Sequence, residues 1–202
     1  MKRILFATGN AHKLGEIKAI LSDIGLDVVS MGEAGVDAEI VEDGKSFEEN
    51  ALIKARAVSK ASGEPALADD SGLVVDALCG EPGIYSSRWM GEDTSYHVKN
   101  TEILRRLEGL PDEKRTARFV CVCACVFPDG REYTAEGVFE GMIGYEEKGG
   151  NGFGYDPIFY VPEKGRYSAE LAPEEKNAIS HRGKALRAMR EILRDAKEVG
   201  EV

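Results

Sequence analysis

The chain has 202 residues, 43% of them hydrophobic and 31% charged. That is the make-up of a folded protein able to bury a sizeable core, not of a disordered chain. With 36 acidic residues against 26 basic ones the net charge is −10, which argues against non-specific binding to nucleic acid or an anionic membrane but leaves room for a small anionic ligand in a local basic pocket.

Residues 2–7 predict a buried strand. The apolar run after Lys2 and Arg3 is too short for a signal-peptide core, and no stretch approaches the ~18 apolar residues of a membrane span, so the expected location is the cytoplasm. Thr8-Gly9-Asn10 then turns into a helix over 12–24, with Leu14, Ile17, Leu21 and Ile24 on one face and Gly25 in the position of a left-handed cap. A second strand over 27–31 completes a β-α-β unit. Such a unit places a ligand at the end of its first strand, where free N–H groups at Thr8-Gly9-Asn10 and the nearby Lys13 can meet phosphate. Residues 32–45 read as irregular and acidic, with Glu39, Glu42 and Asp43. Gly44-Lys45-Ser46 imitates the end of a phosphate-binding P-loop, but that motif needs glycine where Glu39 stands.

Ser46-Phe47-Glu48-Glu49 is a capping box, opening a helix that runs to about Ser62 and stops at Gly63-Glu64-Pro65. Ala51, Leu52, Ala55 and Val58 form its core stripe. Asn50 and Lys54, four apart, share another face, where Lys54 is either solvated or, among small neighbours, open to a ligand. Ala68-Asp69-Asp70-Ser71-Gly72 follows a short apolar run and precedes Leu73-Val74-Val75, which predicts a strand, a break at Gly72 and a second strand or a continuation. Asp69 and Asp70 either cap a turn or sit at a buried strand end. In the second case a cation must offset them, and an oxygen-only ligand set favours Mg²⁺, Mn²⁺ or Ca²⁺.

Downstream, residues 83–88 read as a loop with a buried Tyr85. A helix is expected over 94–107, with Val98, Thr101, Leu104 and Leu107 inward. Two long strands, 115–127 and 131–143, are joined by a hairpin turn at Pro128-Asp129-Gly130. Cys121, Cys123 and Cys125 alternate on one face of the first of these. They read as small buried hydrophobes in a reducing compartment, since C-x-C-x-C is not zinc-site spacing. Gly149-Gly150-Asn151-Gly152-Phe153-Gly154-Tyr155-Asp156-Pro157 is a weak match to a dinucleotide fingerprint, having no strand–helix junction, and a strand is expected to continue through Phe159. It is either a plain surface loop or a loop passing close to a flat ligand, with Phe153 and Tyr155 as stacking faces and Asp156 as an acceptor. A last helix over 180–199 carries a core stripe of Ala185, Leu186, Met189, Ile192, Leu193 and Ala196. Lys176, His181 and Arg182 lie at or before its N-terminus, where cations oppose the helix dipole unless an anion or an electron-rich base edge binds. The whole reads as a single mixed α/β domain over 1–202.

In order along nearly the whole chain, Thr8-Gly9-Asn10 with Lys13, Ser46-Phe47-Glu48-Glu49-Asn50-Ala51, residues 68–72, Gly152-Phe153-Gly154-Tyr155-Asp156-Pro157 and Lys176-Asn177 with Ser180-His181-Arg182 resemble the motifs of the inosine triphosphate pyrophosphatase family. The resemblance implies an elongated mixed sheet with flanking helices, two lobes around a central cleft, and a homodimer. It implies hydrolysis of non-standard purine nucleoside triphosphates (ITP, dITP, XTP) to the monophosphate and pyrophosphate, with Mg²⁺. Thr8, Gly9, Asn10, Lys13 and Lys54 would bind the triphosphate. Glu42 and Asp70 would hold the metal, with Asp69 as a direct or indirect partner. Asp70 would take the proton, with Ser71 beside the substrate. Phe153, Gly154, Tyr155 and Asp156 would receive the purine, and Lys176, His181 and Arg182 would read its edge. Neither nucleic acid nor membrane is an expected partner. The rival reading, a nucleotide-binding regulator without hydrolysis, does not call for the costly acidic pair. An aspartyl-phosphate enzyme would need D-x-D, which Asp69-Asp70 is not.

Overall fold

The computed structural model describes residues 3–8, 11–21 and 25–198. In chain order the elements are β1 (Arg3–Phe6), α1 (Ala11–Leu21), β2 (Asp27–Ser30), α2 (Phe47–Ser62), β3 (Ala66–Val75), α3 (Tyr96–Arg106), β4 (Thr116–Val126), β5 (Glu132–Ile143), β6 (Phe159–Val161), β7 (Arg166–Tyr167), α4 (Pro173–Ile179) and α5 (His181–Glu198). The strands form one open, mixed sheet in the order β2-β1-β3-β4-β5-β6-β7. β1 is parallel to β2 and β3, and β6 is antiparallel to β5 and β7. The chain divides into two compact units, one of Met1–Asp70, Cys121–Gly137 and His181–Val202, the other of Ser71–Val120 and Val138–Ser180.

Strand alternation explains how the first unit is layered. Ile4, Phe6, Leu67 and the three cysteines Cys121, Cys123 and Cys125 bury one sheet face against Ile17 and Leu21 of α1 and Ala185, Leu186, Met189 and Leu193 of α5. Leu5, Ala7, Ala66, Ala68, Val122, Ala124 and Val126 bury the opposite face against Ala51, Ala55 and Val58 of α2. The cysteines are free thiols filling this core. α2 starts as its capping box predicts: Ser46 Oγ accepts the Glu49 N–H at 3.1 Å, and Gly63 closes the helix at φ 68°. The Glu49 carboxylate reaches the N–H of Lys45 at 2.6 Å, one residue before the cap.

In the second unit Leu73, Val75, Phe119, Phe139, Ile143 and Phe159 pack with Ile103 of α3 and with Leu107 just past its end. Phe159 lies 4.6 Å from the Phe119 ring and 5.2 Å from that of Phe139.

Several expectations need correcting. β3 runs unbroken through Gly72 to Val75, because residues on both sides of the glycine keep extended geometry and bury their side chains. α3 begins at Tyr96, and its buried face is Lys99, Asn100 and Ile103, whereas Val98 is 46% exposed. Leu107 is buried and Leu104 packs against the core as expected, but Val98 and Thr101 are exposed, because two polar residues held by hydrogen bonds, Lys99 and Asn100, are buried in their place. Tyr85 is 54% exposed, its ring lying under the Arg88 guanidinium at 5.0 Å. Residues 156–158 form a 3₁₀ turn before β6, and the short helix α4 precedes α5. α1 ends at Leu21, and Ile24 lies outside the described residues.

Candidate active site

β3 carries the centre of the site. Asp69 shares the alternation of Leu67 and so faces α1 and α5, whereas Asp70 shares that of Ala66 and Ala68 and faces α2. Both are buried, at 2% and 8% exposure. One peptide step therefore separates two carboxylates onto opposite faces of the sheet, each with its own cations.

On the α1–α5 side, Lys13 Nζ lies 3.1 and 3.0 Å from the two oxygens of Asp69. Arg182 Nε reaches Asp69 Oδ2 at 3.3 Å, and the Cys121 thiol lies 3.9 Å from the same oxygen. Burial alone would raise the pKa of Asp69, but Lys13, then Arg182 and Lys54, outweigh it and hold the carboxyl well below the usual carboxylate range. Arg182 reaches this place because α5 meets β5 at Gly137. A Cβ there would stand 2.2 Å from the His181 carbonyl oxygen and 2.5 Å from the Ala185 nitrogen.

On the α2 side, Lys54 Nζ donates to Asp70 Oδ1 at 2.9 Å and to Glu42 at 3.3 Å. Lys54 is 8% exposed, so it is not a solvated lysine. Burial would lower its pKa, but Asp70, then Glu42 and Asp69, raise it and keep the ammonium charged. Asp70 is shifted the other way from Asp69. Burial raises its proton affinity, Lys54 opposes, Glu42 adds to the rise, and the net is upward. Asn50, one turn before Lys54 and fully buried, donates through Nδ2 to Asp70 Oδ2 at 3.3 Å and accepts the Gly44 N–H at 3.0 Å. It ties the loop carrying Glu42 to the carboxylate. A Cβ at Gly44 would stand 2.6 Å from Asn50 Oδ1, so that loop passes close only as glycine. Sequence reading placed Asn50 beside Lys54 but gave it no part in the site; the signal was their shared helical face.

The second unit holds its own polar cluster. Asp156, 2% exposed, accepts from Phe153 N at 2.8 Å, Lys176 Nζ at 2.5 Å and Ser168 Oγ at 2.9 Å. The carboxylate thereby shapes the glycine-rich loop, leaving the Phe153 ring 39% exposed with Lys176 Nζ 5.4 Å from its centre. Tyr155 is buried, its hydroxyl donating to the Ser86 carbonyl at 2.8 Å. Lys176 thus ends on Asp156 and Arg182 on Asp69, while His181 is buried at the start of α5. Thr8 follows β1 and is half-buried, as is Ser71 within β3; Gly9 and Asn10 lie outside the described residues. Among the described residues no group of three or more His, Cys, Asp or Glu side chains is placed to hold a metal ion; Glu42 and Asp70 are the two carboxylates that meet at Lys54.

An α/β chain with this sheet order and this acidic centre can be placed by comparison. The model of the Ham1 family matches residues 4–192, and the chain belongs to that family. It is 52% identical over 191 residues to the dITP/XTP pyrophosphatase of Desulforamulus reducens, covering 95% of each chain. To the dITP/XTP pyrophosphatase of Geobacter sulfurreducens it is 49% identical over 193 residues, covering 96% of this chain and 97% of the other. The solved structure of a HAM1 protein from Coxiella burnetii matches with a TM-score of 0.90 at 44% identity, covering 97% of this chain and 100% of the other.

Proposed function

We propose that this chain hydrolyses non-standard purine nucleoside triphosphates (ITP, dITP and XTP) to the nucleoside monophosphate and pyrophosphate, removing them from the nucleotide pool. The observation that carries the reading is the pair of adjacent carboxylates on β3, one matched by Lys13 and Arg182 and the other by Lys54 and Asn50. Cleaving a phosphate anhydride requires positioning, cations for the charge on the phosphates, and a base for water. Lys13 and Lys54 bind triphosphate oxygens together with Thr8, Gly9 and Asn10, and Ser71 lies beside the reacting group.

Asp70 takes the proton of the attacking water. Burial and Glu42 raise its proton affinity above that of an ordinary aspartate when no metal is bound. The water oxygen bonds to phosphorus, the anhydride between the α- and β-phosphates breaks, and pyrophosphate leaves with the bonding electrons. Asp69 has the different part of holding Lys13 and Arg182 in place.

Glu42 and Asp70 share one ammonium, and the proton affinity of Asp70 is raised because that charge does not make up for burial and for Glu42. An oxygen-only pair short of positive charge suits a hard cation, and Mg²⁺ needs few protein ligands because it keeps waters and takes phosphate oxygens. Mg²⁺ held by Glu42 and Asp70 would neutralise phosphate charge and make water more acidic. In the second unit Phe153 stacks on the purine with Gly154 and Tyr155 beside it, and Asp156 keeps Phe153 and Lys176 in position. Lys176, His181 and Arg182 carry the donors for the carbonyl oxygen at purine position 6. The protein acts as a homodimer in the cytoplasm, with neither nucleic acid nor membrane as partner.

Pyrophosphate release across a nucleotide panel tests the reading. The expected order of kcat/KM is ITP, dITP and XTP well above GTP, with GTP above or near ATP, since an adenine amino group leaves buried donors unpaired. Activity should vanish with a chelator and return with Mg²⁺. Hydrolysis of ATP as fast as ITP would sink the pool-cleansing role.

A further inference from the structure

Asn100 in α3 is 1% exposed and has an imbalance in its hydrogen bonds. Its Nδ2 donates to Glu147 Oε1 at 2.7 Å and to the Gly154 carbonyl at 3.2 Å. Its Oδ1 is buried with no hydrogen-bond partner among the described residues. Turning the amide over would set its oxygen against a carboxylate and a carbonyl, so its neighbours dictate the orientation. An unsatisfied buried acceptor is a cost to the fold that a leucine would not carry, and so calls for a reason.

The reason lies in what the two N–H groups hold. Glu147 is gripped a second time by His97, whose Nδ1 lies 2.7 Å from Oε2. Gly154, at φ 68°, packs so that a Cβ would stand 3.5 Å from the Tyr96 ring. The Tyr96 ring in turn meets Tyr155 edge-on at 5.2 Å. Residues 96, 97 and 100 of α3 therefore hold residues 147, 154 and 155. The Gly154–Tyr155 peptide is trans, so a carbonyl directed at Asn100 turns the Tyr155 N–H to the opposite side, away from α3.

We infer that Asn100, braced by Glu147, is a positioning residue for purine recognition. It fixes the Gly154 carbonyl, and with it the direction of the Tyr155 N–H and the seating of a purine on residues 153–156. The inference rests on reading the chain as a purine nucleotide hydrolase with that loop as its base-binding element.

The test measures inosine monophosphate binding by calorimetry and ITP turnover by pyrophosphate release, for wild type, Asn100→Leu and Glu147→Ala. Asn100→Leu should bind inosine monophosphate about 5- to 10-fold more weakly and raise KM for ITP to match. Its kcat should stay within about twofold and its melting temperature should fall by no more than about 2–4 °C, since relief of the unpaired oxygen offsets part of the two lost hydrogen bonds, whereas a purely structural defect would not raise KM selectively. Glu147→Ala, at a partly exposed position, should show the same pattern at about threefold and decides the matter if the leucine variant does not fold. Unchanged affinity in a folded variant, or a fall in kcat at constant KM, overturns the inference. So does a wild type that binds no inosine monophosphate. A wild type that binds it but releases no pyrophosphate from ITP defeats the hydrolase reading alone, and the affinity ratios still decide this one.

Discussion

In Asp70→Asn the side chain keeps its shape and loses its charge. Lys54, 2.9 Å from Asp70 Oδ1, still finds an oxygen there, but Asn50, 3.3 Å from Oδ2, meets an amide nitrogen. One hydrogen bond lost costs about 1 kcal/mol. Against this, burial of the charge and its repulsion from Glu42 disappear, and these are what raise the pKa of Asp70 above its ordinary 3.8 despite Lys54. A group bound more tightly to its proton in the fold contributes stability below pH 3.8 and loses it as pH rises through the folded-state value, so at pH 7 asparagine avoids that loss. The two effects oppose each other. The net should lie within about 1 kcal/mol, or a melting shift of about 2–4 °C at this chain length. Loss of the base should instead lower kcat by ~10²–10⁴-fold. Pyrophosphate release at saturating ITP with Mg²⁺, beside thermal melts at pH 7, reads both. A kcat above about a tenth of wild type would refute the role of the base. A melting temperature lower by about 10 °C or more would refute the charge argument.

Asp69→Asn should behave in the opposite way. It strips the partner from Lys13 and Arg182, and breaking a buried pair costs about 3–5 kcal/mol, or roughly 10 °C of melting temperature. Because Asp69 is held below its ordinary 3.8, its contribution is present above that pH and lost as pH falls below it. The melting temperature of the variant should therefore vary less with pH below about 4, and wild-type stability at pH 7 would refute the reading. Lys54→Ala should weaken binding of a nucleoside triphosphate far more than of the nucleoside, by calorimetry with metal present; equal losses would remove Lys54 from the phosphate site. Gly137→Ala places a methyl 2.2 Å from the His181 carbonyl, so the first turn of α5 must move, at a cost of about 1–3 kcal/mol and with reduced kcat through Arg182. A wild-type melt would show that the contact relaxes freely.

Much of the fold could be read from local chemistry. The β-α-β opening, the capped α2, the alternating cysteines of β4 and the stripe of α5 all follow from periods of 2 and 3.6 and from turn residues, which act within a few residues of chain. Motif order also singles out Lys13, Lys54, Asp70 and Phe153, of which the structure pairs Lys54 with Asp70. Periodicity shows which residues share a face but not what covers it. Asn50 and Lys54 were set apart from the core stripe of α2, yet both are buried, because β3 brings Asp70 against that face. Asn100 and Lys99 broke the apolar count in α3 because their partners, Glu147, Gly154 and Ser87, are distant in sequence. Adjacent residues on a strand point to opposite faces, which parts Asp69 from Asp70, but their opposite electrostatic fates depend on which helix lies over each sheet face. Only tertiary packing decides that, since burial and partner charges, not the aspartate side chain itself, determine which carboxylate is held ionised and which has its proton affinity raised.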